Sequence, residues 1–229
     1  MDFIQKKIQK RIDESLALNT NIQELKLHYR VLSEYYFFLI LGYLWNNNLG
    51  SVSEKIKESI IKSIVAPPLG QIIKIISQLD IQNEIITPGF DLLKRYNKLR
   101  IESDGHGYVY EDGAEDYLTE VKEIFNEIKA TNFFIINDKI DFIKVLQLNS
   151  ERFIGRKYSP DGTDEIWSCP QQQYDFSVDN IYIQHLKQGQ INPQYFKISP
   201  FIDIVDESEY YMFGHVSQKY LGEIKYNRI

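Results

Sequence analysis

The chain has 229 residues, of which 43% are hydrophobic, and a formal net charge of −6, so it can bury one large core or two modest ones. The acidic balance argues against broad binding to a nucleic-acid backbone, which needs a dense field of Lys and Arg, but leaves room for a local basic groove. A single cysteine, Cys169, excludes an internal disulfide and a zinc site made of cysteines, and fits a reducing cytoplasm.

In chain order, the first stretch, MDFIQKKIQKRIDESLALN, spreads its charges throughout and lacks the apolar run of a secretory signal. Ile4, Ile8, Ile12 and Leu16 recur there at helical spacing. A second helix is expected from about Ile22 to Trp45, stopping at NNNLG. Inside it lies the longest uncharged apolar stretch, YYFFLILGYLW, about half of the ~20 residues a membrane span requires. It reads as a buried helix, and no membrane association is expected.

Ser51 and Glu54 have capping-box spacing ahead of a helix carrying Ile56, Ile60 and Ile64, which Pro67 and Pro68 terminate. Ile72, Ile73, Ile76 and Leu79 mark the next helix. Thr87 and Pro88 then suit the N-cap and first turn of a helix with Phe90, Leu92, Leu93, Tyr96 and Leu99 inward. The last helical segment, GAEDYLTEVKEIFNEIKA, is acidic in its first turn and directs Leu118, Val121, Phe125 and Ile128 to the core.

From Thr131 the pattern changes to short alternating or apolar runs: NFFII, KIDFIKVLQL, YDFSVDNIYIQHL, YFKI, FIDIV, EYYMFGHV and YLGEIKY. Asn137-Asp138 and Asp206 to Glu209 are read as turns, SPDGTDE and CPQQQ as loops, and Ile181 and Ile183 as the inward positions of a half-buried strand. The expected fold is α+β, with an all-helical bundle at residues 1–130 and a small antiparallel β subdomain at 131–229. No flexible linker separates them, so they are expected to pack together.

The stretch that carries chemistry is YNKLRIESDGHGYVYEDG, residues 96–113. Arg100 follows Tyr96 by four residues and Leu93 by seven, which places it at the edge of the buried stripe. His106 comes at the helix end, between Gly105 and Gly107. An imidazole that titrates near neutrality beside a fixed guanidinium is what metal-free RNA cleavage needs. One takes the proton of the 2′-hydroxyl or protonates the leaving oxygen; the other stabilises charge building on phosphorus. Lys94, Arg95 and Lys98 lie on the same helix and can guide an RNA backbone, with Tyr108 available to stack on a base.

An Arg followed after four to six residues by His, near the end of a helix in a bundle, resembles the signature of the HEPN superfamily. RIESDGHG is similar to its RNxxxGHG variant, and APPLGQIIKIISQL resembles a PxLGxW-like helix found upstream in related bacterial defence proteins. The position after Arg100 is Ile101, where the motif commonly has Asn or another polar residue. The resemblance covers about residues 20–130, with a weaker likeness in the β-rich remainder. It implies a cytoplasmic, metal-independent endoribonuclease of a bacterial antiviral defence or toxin-like system, without a cofactor. Arg100 and His106 would be its catalytic pair, in a site composed by a homodimer, and the β part would meet a regulator or protein partner. The alternative is a non-catalytic adaptor that uses the same bundle to dimerise or dock on a larger complex.

Other constellations read more simply. Asp203, Glu223 and Lys225 imitate the acidic pair and lysine of a metal-dependent nuclease, but are read as strand charges, and no metal site is expected. His28, His185 and His215 are taken as structural, and Cys169 as a nucleophile only if a histidine approaches it. The sequence contains no phosphate-cradling GxxxxGK[ST] or GxGxxG stretch.

Overall fold

A computed structural model describes residues 2–18, 22–64, 68–79, 87–105, 111–131, 138–205, 210–217 and 223–228. The described helices are α1 (Phe3–Ala17), α2 (Ile22–Asn48), α3 (Glu54–Ser63), α4 (Leu69–Leu79), α5 (Thr87–Gly105) and α6 (Glu111–Ala130). Eight strands follow: β1 (Ile140–Asn149), β2 (Arg152–Tyr158), β3 (Asp164–Pro170), β4 (Ile181–His185), β5 (Gln194–Lys197), β6 (Ile202–Ile204), β7 (Tyr210–Ser217) and β8 (Glu223–Arg228). They form a five-stranded antiparallel sheet of order β3-β2-β1-β4-β5 and a three-stranded one of order β6-β7-β8. The fold is α+β.

Helix α2 is central, and its sequence explains why. YYFFLILGYLW has no polar face to turn outward, and Tyr35, Tyr36, Phe37, Phe38, Leu39, Ile40, Leu41 and Leu44 are all buried. Helix α1 lies against it through Ile4, Ile8 and Ile12; α4 contributes Ile72, Ile75, Ile76 and Leu79. The far end of α2 meets the β layer. Tyr43 packs edge-on to Phe196 of β5 at 5.2 Å, and Trp45 packs on Phe201 at 5.5 Å. Gly42 permits this approach, since a Cβ there would lie 2.7 Å from the Ile198 carbonyl oxygen. Helical and strand residues thus enter one hydrophobic cluster, in which Ile140, Phe142, Ile181, Ile183 and Ile202 join the helices.

The sheet has a second apolar layer on its other face, where Ile143, Val145, Phe153, Trp167, Cys169, Phe176 and Tyr182 cluster. Consecutive Phe142 and Ile143 enter different clusters because side chains alternate along a pleated strand. Tyr182 is therefore buried as well as its neighbours Ile181 and Ile183, so β4 is covered on both faces instead of half-buried.

Asp2 caps α1, its carboxylate accepting from the Gln5 amide at 2.8 Å. Burial pushes its pKa up, against the lowering by that bond and by the Tyr35 hydroxyl.

Two local readings change. Helix α3 begins after Ser53, which makes no side-chain cap bond, while Ser51 closes a 3₁₀ turn, Leu49–Ser51. The intervening Val52 is buried and extended, and this anchor delays the helix. Strands β2 and β3 arise from RFIGRKY and DEIWSCP, with Ser159 to Thr163 as their hairpin turn and Gly162 at φ +88°. Gly155 hides β2 from a propensity reading yet is required there. It faces an irregularity in β1 between Val145 and Gln147, where a Cβ would stand 2.1 Å from the Lys144 carbonyl oxygen. NFFII, Asn137 and the 206–209 turn lie outside the described residues. Among the described residues no helix is long and apolar enough to cross a membrane.

Candidate nucleic-acid interface

Helix α5 buries Phe90, Leu93 and Tyr96 along one stripe, with Asn97 beside it. Continuing that phase, Arg100 is half-buried at the stripe's edge. Its Nη2 donates to Asn97 Oδ1 at 3.1 Å, and its carbonyl accepts from Ser103 Oγ at 3.0 Å. The guanidinium lines a cleft of about 160 Å³ where α2, α5 and α6 meet, shared with Gln23, Lys26, Leu27, Arg30 and Tyr117. None of these described lining residues is acidic.

Lys26 and Arg30 are one helical turn apart on α2, so both reach the same opening. Lys26 is buried, its ammonium 4.6 Å from the centroid of the Tyr117 ring, a cation–π placement. Arg30 directs Nε to Glu34 Oε1 at 2.8 Å. These two cations were missed in the sequence because nothing local ties residues 26 and 30 to residue 100. The only signal is their i, i+4 spacing.

The other basic residues of α5 are arranged differently. Arg95 spans to α6, with Nη2 3.1 Å from Glu120 and Nη1 3.7 Å from Glu127. Lys94 pairs with Asp91 and lies 4.9 Å over the Phe90 ring; Lys98 is 3.8 Å from Glu102. Each of the three thus has a carboxylate beside it. His106 and Tyr108 lie outside the described residues; α5 carries the described chain to Gly105.

A second cleft, of about 360 Å³, opens between α1 and α2, lined by Arg11, Glu14, Ser15, Leu18, Glu24 and His28. Ser15 Oγ and His28 Nδ1 are 3.2 Å apart there. In the β layer, buried His185 has a carboxylate neighbour that the sequence did not disclose, Asp138 Oδ2 at 2.8 Å from Nε2. The Cys169 thiol is buried; it is 3.9 Å from Gln173 Oε1, and burial pushes its pKa up, away from thiolate chemistry.

Strand register disperses the nuclease-like trio. Asp203 pairs with Tyr211, Lys225 with His215 and Glu223 with Ser217. The last two therefore lie four and six residues further along β7, roughly 13 and 20 Å at strand rise. Asp203 itself is held by Lys144 Nζ at 3.0 Å. Among the described residues no group of His, Cys, Asp and Glu could hold a metal ion.

No family model, curated protein or solved structure matches this chain.

Proposed function

We propose that the protein is a HEPN-like, metal-independent endoribonuclease of a bacterial defence or toxin-like system, acting as a homodimer through Arg100 and His106. The observation that carries this reading is Arg100 in a cationic cleft near the end of α5, six residues before His106 in the sequence. His106 takes the proton from the attacking 2′-hydroxyl as the O2′–P bond forms, or gives one to the leaving 5′-oxygen as its bond to phosphorus breaks. The Arg100 guanidinium stabilises the negative charge that grows on the phosphoryl oxygens. No electron transfer or metal-bound water is needed for this step, because the nucleophile belongs to the substrate. The β layer is assigned to a regulator or partner protein.

The test is cleavage of a labelled, structured RNA pool in excess EDTA by the wild type, His106→Ala and Arg100→Gln. Activity that survives chelation and falls by about 10²-fold or more in both variants supports the reading; equal activity in wild type and His106→Ala contradicts it.

A non-catalytic adaptor is the second reading, favoured by the exposure of Leu27, which lines the same cleft, and of Ile101 on α5. Leu27 and Ile101 are 54% and 53% exposed, and Ile101 directly follows Arg100. The adaptor predicts that Ile101→Lys dissociates an oligomer that has no nuclease activity, measured by sedimentation together with the cleavage assay.

A further inference from the structure

We infer that Lys26 and Arg30, together with Arg100, form a phosphate subsite that holds the backbone of single-stranded RNA beside the reacting bond. The ribonuclease reading identifies the ligand; the subsite itself is argued from charge and geometry.

Two helices bring three cations to one opening in a protein whose formal charge is −6. Like charges gathered at one opening repel one another, an effect offset in part at Arg30 by Glu34, and an anion seated among them relieves that repulsion. Each cation is also held in place. The Lys26 stem is buried and its ammonium rests over Tyr117, Arg30 is oriented through Nε by Glu34, and Arg100 through Nη2 by Asn97. Orientation before binding lowers the entropic cost of engaging a ligand.

Phosphate suits this arrangement because its charge is spread over several oxygens, which the two guanidiniums and the ammonium can approach from different sides. Gln23 on the same rim adds an amide that can serve a ribose hydroxyl. A strand rather than a duplex is expected, since metal-free cleavage requires a 2′-hydroxyl free to rotate into line, and unpaired RNA offers it. The Lys94, Arg95 and Lys98 flank differs in that its three cations lie on one helix beside Asp91, Glu120 and Glu102, whereas the cleft gathers cations from two helices to one opening, with Glu34 beside Arg30 alone among the pairs described above.

The experiment is fluorescence anisotropy of a labelled single-stranded RNA oligonucleotide in EDTA over a salt series, with the full chain carrying His106→Ala so that the probe stays intact. Lys26→Met and Arg30→Gln are each expected to weaken binding about tenfold and to make the salt dependence shallower by about 0.7 in log–log slope. Lys94→Gln and Lys98→Gln are expected to stay within about twofold. The Arg30 side chain is 52% exposed, so Arg30→Gln remains decisive if Lys26→Met disturbs folding, which circular dichroism reads. Unchanged affinity and slope in Arg30→Gln, or no RNA binding by the parent, overturns the subsite. Cleavage is scored separately with His106 intact. RNA binding that depends on Arg30 without any cleavage keeps the subsite and removes the catalytic reading; cleavage with Arg30-independent binding does the reverse.

Discussion

The basic flank of α5 and the cleft that α5 shares with α2 hold their cations in different ways. On the flank, Lys94, Arg95 and Lys98 stand beside Asp91, Glu120, Glu127 and Glu102, so their charge is cancelled locally. In the cleft, Arg100 of α5 shares an opening with Lys26 and Arg30 of α2; Lys26 rests over Tyr117, Arg100 donates to Asn97, and Arg30 has Glu34 beside it. A run of Lys and Arg along one helix and a set of cations gathered from two helices are thus distinct candidates for an anion site, and only tertiary structure discloses the second.

This contrast gives graded expectations. His106→Ala should reduce the rate of RNA cleavage in EDTA about 10²–10⁴-fold while leaving affinity in place, as read by single-turnover kinetics beside anisotropy. Arg100→Gln should lower the rate about 10²-fold and weaken binding too, because the guanidinium serves both the reacting group and the cleft. Arg100→Lys should not rescue it, since a point charge lacks the planar fork.

Smaller effects bear on how the cleft is held. Tyr117→Leu removes the ring beneath Lys26 and should cost about 0.5–2 kcal/mol of stability in thermal unfolding, with several-fold weaker RNA binding. Tyr117→Phe keeps the ring and should change neither by much. Replacing Glu120 and Glu127 by Gln removes the carboxylates from Arg95 and should raise RNA affinity by only about twofold, through net charge. A gain above about tenfold would make the flank the binding face. Lys94→Gln and Lys98→Gln should cost about 0.5 kcal/mol or less, because both pairs are exposed and local.

Much of the fold was legible in the sequence where the signal is periodic and local. Ile4, Ile8 and Ile12 mark the inner face of α1, and the apolar run of α2 announces a helix with no solvent face. Strand β2 was hidden because Gly155 lowers strand propensity at the position where the bulged partner strand demands a missing Cβ, and β3 because its two ends, Asp164-Glu165 and Cys169-Pro170, fall in SPDGTDE and CPQQQ, which read as loops. The candidate site was half legible. Arg100 stands out by its distance from Tyr96 and Leu93, whereas Lys26 and Arg30 reach it only through the packing of α2 against α5 and α6. Asp203, Glu223 and Lys225 fail in the opposite way: sequence makes them a plausible set, and strand register spreads them along β7.

The most direct test is a side-by-side measurement of single-stranded RNA cleavage in excess EDTA by wild type, His106→Ala, Arg30→Gln and Lys94→Gln. The account predicts cleavage by the wild type and a rate about 10²–10⁴-fold lower for His106→Ala. Arg30→Gln should show a loss of about tenfold in kcat/KM carried mainly by KM, and Lys94→Gln should stay within about twofold of wild type. Undiminished cleavage in His106→Ala, or Arg30→Gln and Lys94→Gln behaving alike, would contradict it.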